Sequence, residues 1–287
     1  MENRIQEEST RWKVQEQKVI RGAVLGSPIS HSLSPIMHQA AYEFLGIEGS
    51  YTAIDVPSGT LESFFGDRGA EFDYFSLTMP LKEEALSLGL EIDALTQRIQ
   101  SGNTIYMAGN HWRLTSTDGS GFLAALAHAG ISKVNSVLIL GAGGTARAVS
   151  GALDSIAGEI QVMGRSSVRQ SALESAITQA DFQYHRWVQR PDFSSYDVVV
   201  NTTPAGAADL LADAVPSGIA ATFFDVIYKP WPTELAQRWS DRGGKVLNGL
   251  ELLLYQGIDQ LSLVLDSPFD RLALAEHLRS VLQKAAR

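Results

Sequence analysis

Residues 137–149 read Val-Leu-Ile-Leu-Gly-Ala-Gly-Gly-Thr-Ala-Arg-Ala-Val, an apolar run that breaks at a glycine cluster and resumes in small helix-forming residues. The pattern is strand, tight turn, helix. Gly141, Gly143 and Ala146 have the spacing of a dinucleotide-binding loop. The first glycine permits the turn, the second lets a pyrophosphate approach the backbone, and the small third residue keeps helix close to strand. Ala142, Gly144 and Thr145 complete the cradle at the helix N-terminus, where free N–H groups suit a phosphate. The end of the next strand selects the cofactor. An NAD site usually carries an acid there to take the ribose 2′-hydroxyl. This chain has Gly164-Arg165-Ser166-Ser167, followed by Arg169. An arginine can pair with a 2′-phosphate and stack on the adenine. The cofactor expected is therefore NADP(H), gripped at this end by Arg165, Ser166 and Arg169.

Around this loop, short apolar strands alternate with longer helical stretches. Strands are predicted over 137–140, 159–163, 197–201, 222–226 and 245–247. Helices are predicted over 143–156, 168–177 and 233–242. An earlier series precedes them. Its strands fall at 19–26, 50–56 and 72–78, its helices at 34–46, 58–65 and 81–88. A hairpin pair follows at 104–107 and 112–117 around Gly109-Asn110, then a helix over 119–129. Helices over 249–265 and 270–284 close the chain. The rhythm implies an α/β protein of two domains: a mostly parallel α/β substrate domain and a Rossmann-type nucleotide-binding domain. The division expected is 19–119 plus 250–287 for the first and 120–249 for the second, with 1–18 as a flexible N-terminal extension.

Composition narrows the function classes. At 287 residues the chain has room for about two domains. Hydrophobic residues make up 45% and charged residues 19%, enough for well-buried cores. The formal net charge of −9 argues against an extended nucleic-acid or anionic-membrane surface. With no cysteine, disulfides, thiolate zinc sites and cysteine nucleophiles are excluded. No apolar run approaches the roughly 20 residues of a membrane helix, and residues 1–18 lack the apolar core of a secretory signal. His111, His128, His185 and His277 have no ligand spacing, so no metal is expected. The partner expected is a small-molecule substrate, met in the cytoplasm by a monomer or homodimer, with no nucleic acid and no membrane.

Residues 26–42 read Gly-Ser-Pro-Ile-Ser-His-Ser-Leu-Ser-Pro-Ile-Met-His-Gln-Ala-Ala-Tyr. Ser34 is placed to cap a helix that Pro35 opens, with Ser32 beside it. A hydroxyl-edged helix N-terminus suits an anion such as a carboxylate. His31 and His38 read as structural, holding the turn by hydrogen bonds. Lys82 follows a strand end and a proline in Ser-Leu-Thr-Met-Pro-Leu-Lys (76–82), beside the predicted crevice. That makes it a candidate for proton transfer. Asp118 ends a strand in Thr-Ser-Thr-Asp-Gly-Ser-Gly-Phe (115–122), where the plain reading is a helix cap.

In order and spacing these runs resemble the shikimate dehydrogenase family. In that family the two serines, here Ser32 and Ser34, hold the shikimate carboxylate. Thr78-x-Pro80-x-Lys82 resembles its substrate-and-lysine motif, Asn103-Thr104 a further substrate motif, and Thr117-Asp118 with Gly121-Phe122 the motif of its catalytic aspartate. Asn201-Thr202-Thr203-Pro204-x-Gly206 resembles the loop beneath the nicotinamide. Asp225-Val226-x-Tyr228 resembles the segment whose tyrosine lines the substrate cleft, and Glu251-Leu252-Leu253-x-Tyr255-Gln256 the helix whose glutamine contacts substrate. The resemblance runs from about residue 19 to the C-terminus. It implies Lys82 and Asp118 as catalytic residues. Ser32, Ser34, Ser76, Thr78, Asn103, Tyr228 and Gln256 would bind substrate. Thr202, Thr203, Pro204, Val226 and Gly249 would join the glycine loop and its arginines on the cofactor. The implied reaction is reversible NADPH-dependent reduction of 3-dehydroshikimate to shikimate. The chain departs from the family's pattern at four places. Ser76 stands where asparagine is usual, Gln100-Ser101-Gly102-Asn103 replaces Gly-Ala-x-Asn, Ser116 replaces the asparagine of Asn-Thr-Asp, and Gly164-Arg165-Ser166 replaces Asn-Arg-Thr. Ser76 leaves a quinate/shikimate dehydrogenase open as an alternative, beside a non-catalytic nucleotide-binding regulatory homologue.

Overall fold

The computed structural model describes residues 19–188 and 190–287, so the expected extension at 1–18 lies outside the described residues. The chain first builds β1 (Ile20–Gly26), α1 (Ser34–Leu45), β2 (Gly49–Asp55), α2 (Leu61–Arg68), β3 (Tyr74–Leu77), α3 (Leu81–Glu84), β4 (Glu91–Ile92), α4 (Ala94–Ile99), β5 (Thr104–Ala108) and β6 (His111–Thr115). Helix α5 (Asp118–His128) leads to β7 (Val134–Leu140), α6 (Gly144–Leu153), β8 (Ala157–Gly164), α7 (Gln170–Ala176), β9 (Asp181–Arg186), β10 (Val198–Asn201), β11 (Thr222–Asp225), α8 (Glu234–Asp241) and β12 (Val246–Leu247). Helices α9 (Gly249–Val264) and α10 (Arg271–Ala285) return to the first sheet.

The two sheets have six strands each, ordered β2-β1-β3-β5-β6-β4 and β12-β11-β10-β7-β8-β9. The second sheet is parallel throughout. Its chain order reverses between β7 and β10, the switch point at which doubly wound folds take ligands. Both of its faces are covered, so its central strands carry unbroken apolar runs. Val137 and Ile139 enter the core against α5 and α6, while Leu138 and Leu140 enter the core around Trp239. In the first sheet β1 pairs in parallel with β2 and β3, and β5 runs antiparallel to β3 and β6. Val24 faces α1, α9 and α10, while Ala23 and Leu25 face the core of Leu61, Phe75 and Leu81. No helix among the described residues is long and apolar enough to cross a membrane.

Several local expectations shift. Ser34 does not cap α1. It is the first helical residue and is buried, Leu33 holds the cap position, and the Ser34 N–H donates to Ser32 Oγ at 3.3 Å. Pro35 fits inside the first turn, so the helix begins one residue early. Likewise Asp118 opens α5 and Thr117 precedes it, which frees the Asp118 carboxylate from capping. The helix expected at 58–65 starts at Leu61, because residues 57–60 close a turn through Thr60 N–H to Pro57 C=O. The helix expected at 81–88 is α-helical only to Glu84 and finishes as a 3₁₀ turn. His38 holds no turn. It is buried, stacks on Tyr51 at 4.0 Å and pairs through Nδ1 with the Tyr74 hydroxyl at 2.8 Å. The sequence pattern predicts no strand β4, helix α4 or strand β9. The first two are very short, and β9 is an edge strand of mostly polar residues.

Helices α5 and α9 join the halves and pack backbone to backbone. A methyl group on Gly121 would sit 2.6 Å from the Gln256 backbone nitrogen. Gly121→Ala should force these helices apart and destabilise the fold by about 1–3 kcal/mol. Urea unfolding measures this directly, and an unchanged midpoint would show that the contact is slack.

Candidate active site between two sheet edges

Strand direction collects the predicted residues. Strands β1 and β3 are parallel, so the 27–33 loop and the 78–82 turn leave the same edge of the first sheet. Strand β5 runs the other way, with Thr104 opposite Ser76 and Thr115, so Asn103 before it and Thr117-Asp118 after β6 reach that edge too. In the second sheet the parallel strands β7, β8, β10 and β11 deliver the Gly141 loop, Arg165, Thr202 and Val226 to one edge.

At the first edge Lys82 Nζ donates to Asp118 Oδ2 in a short ion pair, with side chains 16% and 6% exposed. Little solvent screens a pair so enclosed. The other carboxylate oxygen, Asp118 Oδ1, accepts from Asn103 Nδ2 at 2.8 Å. Asn103 is fixed in turn, its Oδ1 accepting the Thr117 N–H at 2.7 Å while its amide also faces Gln256 Oε1 at 3.1 Å. Lys82 Nζ also reaches Thr145 Oγ1 at 3.3 Å, on the glycine loop of the other sheet. Lys82, Asp118, Asn103 and Gln256 are thus one hydrogen-bonded cluster, and it touches the cofactor loop.

The remaining predicted residues frame this cluster. The Thr78 N–H donates to Leu25 C=O at 2.9 Å, which pins the turn carrying Lys82. Ser76 is buried and engaged, pairing with Tyr51 Oη at 2.5 Å and donating to Gln260 Oε1 at 2.7 Å. Tyr228 bonds to the Leu33 backbone between the two serines, and its burial raises its phenol. Sequence reasoning passed over Gln260, whose Nε2 donates to Thr104 Oγ1 at 2.9 Å. The signal was available, since Gln260 lies four residues after Gln256 on the same helical face.

The cofactor edge fits a dinucleotide. Gly141 takes φ 107°, a region that favours glycine, and a side chain there would meet Thr202 Oγ1 at 2.6 Å. The first bond inside α6 runs from the Arg147 N–H to Gly143 C=O at 3.1 Å, so the Gly144, Thr145 and Ala146 N–H groups have no intrahelical acceptor. Arg165, Ser166 and Arg169 are exposed at the end of β8. Thr202 donates to Leu140 C=O at 2.8 Å, Thr203 donates to Asn201 Oδ1 at 2.7 Å, and Pro204 is exposed. Gly249 donates to Ile227 C=O at 3.1 Å and abuts the Val226 carbonyl, leaving no room for a side chain.

Three comparisons bear on this geometry. The profile of the shikimate dehydrogenase substrate binding domain matches residues 24–105. A shikimate dehydrogenase (NADP(+)) of Thermus thermophilus is 36% identical over 244 residues, spanning 83% of this chain and 90% of the relative. The chain belongs to the shikimate dehydrogenase family. Among solved members, that of Mycobacterium tuberculosis superposes with a TM-score of 0.80 at 33% identity, covering 91% of this chain and 99% of the other. A Thermus thermophilus member, solved with NADP(H) and shikimate, gives 0.78 at 34% identity, with coverages of 91% and 99%. Against the family's usual pattern, Gln100 replaces a glycine and still takes φ 51°.

Beside the 201–206 loop, Asp225 accepts from Thr233 Oγ1 at 2.7 Å, Asn201 Nδ2 at 3.0 Å and the Ile227 N–H at 3.1 Å. Burial outweighs these bonds and pushes its carboxyl up to about 6. A carboxyl raised on folding lends stability that is full below its unfolded value of 3.8 and is lost as pH rises through about 6. His38 works in the opposite sense. Burial lowers its imidazole to about 3, so its share is full above 6.5 and is lost as pH falls. Comparison with Asp225→Asn isolates the first effect. From about pH 4 to 7 the parent should lose on the order of 2–3 kcal/mol relative to the variant. Urea titrations at several pH values would show it, and a constant offset would refute a raised Asp225.

Proposed function

We propose that the chain is an NADP-dependent shikimate dehydrogenase, catalysing reversible reduction of 3-dehydroshikimate to shikimate in aromatic amino acid (chorismate) biosynthesis. The observation that carries this is the Lys82–Asp118 pair, held by Asn103 on one sheet edge and touching Thr145 of the glycine loop on the other. A regulatory homologue without turnover has no need of an enclosed ion pair at that junction. The chain acts in the cytoplasm on a small-molecule substrate, as a monomer or homodimer, with neither nucleic acid nor membrane as partner. Residues 19–119 with 250–287 serve the substrate and 120–249 the cofactor.

Reduction adds a hydride to the ketone carbon and a proton to its oxygen. Bound NADPH would supply the hydride; the protein binds, orients and moves the proton. Ser32, just before α1, and Ser34, in its first turn, take the carboxylate. Tyr228 closes the cleft above them. Ser76, Thr78, Asn103 and Gln256 face the ring hydroxyls, and Ser76 acts with its hydroxyl already held by Gln260. Lys82 and Asp118 work as a unit that gives the proton to the ketone oxygen and recovers it in the reverse direction. Residues 141–146, Thr202, Thr203, Pro204, Val226 and Gly249 cradle the dinucleotide. Arg165, Ser166 and Arg169 take its 2′-phosphate.

Steady-state turnover of shikimate and quinate, each with NADP⁺ and NAD⁺, tests the whole reading. Shikimate with NADP⁺ should be the best pair. Arg165→Asp should erode the preference for NADP⁺ by removing charge-assisted bonds to the phosphate. Equal turnover with NAD⁺ in the parent would contradict it.

Lys82→Ala should lower kcat on the order of 10²–10⁴-fold, the usual yield of general acid–base catalysis. The shikimate KM should move far less, since the carboxylate anchor lies elsewhere. Asp118→Asn should be comparably severe, and the double variant far from additive. A folded Lys82→Ala protein that keeps kcat within a few-fold of the parent would reduce Lys82 to a structural ion-pair partner of Asp118.

A further inference from the structure

Arg147 is a buried cation that the proton-transfer cluster does not itself contain. It lies one turn into α6, four residues beyond Gly143, and is 2% exposed. Its side chain leaves the second sheet's layer and ends on the first. The Nε donates to Ile99 C=O at 2.7 Å, and Nη2 donates to Gln100 C=O at 2.9 Å and to Glu83 Oε1 at 2.8 Å. The two carbonyls end α4, where a cation also meets the negative end of the helix dipole. Charge-assisted bonds of this length are strong, and the rigid guanidinium fork reaches all three acceptors at once.

What Arg147 holds is what carries the proton-transfer pair. Glu83 directly follows Lys82 in α3. After Gln100, with its φ of 51°, the chain runs through Ser101 and Gly102 to Asn103. The Gly102 N–H donates to Lys82 C=O at 2.9 Å, and Asn103 Nδ2 holds Asp118 Oδ1. Lys82 and the asparagine that holds Asp118 thus hang from segments that one guanidinium grips. At the other end of the same helical turn, a methyl on Gly144 would meet Ser101 Oγ at 2.5 Å and Lys82 Cβ at 3.7 Å. The first turn of α6 therefore meets the cofactor cradle on one side and the Lys82 and Asn103 segments on the other.

We propose that Arg147 is a positioning residue for proton transfer, a strut from the cofactor helix that sets Lys82 and Asn103 in register with Asp118. This rests on the dehydrogenase reading above for its kinetic consequence and on geometry alone for its structural one. Positional errors of about 1 Å can cost 10²-fold in rate, so a strut of this kind is felt in kcat.

The test compares the parent with Arg147→Lys, which keeps the charge and loses the fork, with Arg147→Met, and with Glu83→Gln at the exposed end of the strut. Three quantities are read: amide hydrogen exchange over 100–104 and 117–118, Tm, and kcat against KM for shikimate with NADP⁺. Arg147→Lys should exchange faster in both segments and lose about tenfold in kcat, with KM within about threefold. Glu83→Gln should show a smaller loss of the same kind, and Arg147→Met a larger one. If Arg147→Lys keeps parental exchange and kcat within twofold, the proposal is wrong. It is also wrong if kcat, KM and NADP⁺ affinity worsen together in step with Tm, since Arg147 would then only stabilise the fold. A parent inert toward shikimate with either cofactor would overturn the dehydrogenase reading, and the exchange result would then decide the positioning claim by itself.

Discussion

Gly121 of α5 lies so close to the Gln256 backbone of α9 that no side chain fits between them. Asp118 begins α5, and Gln256 lies at mid-length in α9, so this contact sets the aspartate, the glutamine and Asn103 within one hydrogen-bonded reach. The same helices connect the two sheets. Phe122 and Leu252 pack into the core of the second, while Leu253, Leu254 and Ile258 pack into the core of the first. The distance between sheet edges and the shape of the Lys82–Asp118–Asn103 cluster therefore follow from one backbone approach.

A second constraint governs polar groups. The first sheet buries Tyr42, Tyr51, Tyr74, His38, Ser76, Thr104 and Gln260, and an unpaired buried polar atom costs about 1–3 kcal/mol. The solution is a chain of partners: Tyr42 with Tyr74, Tyr74 with His38, Tyr51 with Ser76, Ser76 with Gln260, and Gln260 with Thr104. Burial raises the phenols and lowers the imidazole, so this layer is uncharged near neutral pH. Charge at this edge is carried by Lys82 and Asp118, next to the glycine loop, and by Arg147 with Glu83.

Periodicity and turn chemistry act between residues a few positions apart, and these were legible in the chain. The strand, glycine turn and helix at 137–149 depend on local rules: apolar runs for doubly covered strands, positive φ at Gly141, and small residues where helix meets strand. The missing acid after β8 is likewise a local fact that argues for a phosphate partner. The family's motifs stood in order, and with them the candidate residues. Ser34, placed by local rules to cap α1, lies inside the helix instead. At Asp118 the local reading yields to a longer-range contact. Asp118 was free to cap α5, and it turned to Lys82, 36 residues away.

The sequence by itself determined the alternation of strands and helices, the nucleotide loop and the list of candidate polar groups, because each follows from neighbouring residues or from the order of motifs. Only the tertiary structure decided which of these groups meet. Asn103 and Gln256 are 153 residues apart, Ser76 and Gln260 are 184 apart, and Arg147 reaches back 64 residues to Glu83. No spacing rule links such positions. They meet because parallel strands send their ends to one edge, two helices pack at a glycine, and buried polar atoms take the partners that packing leaves within reach.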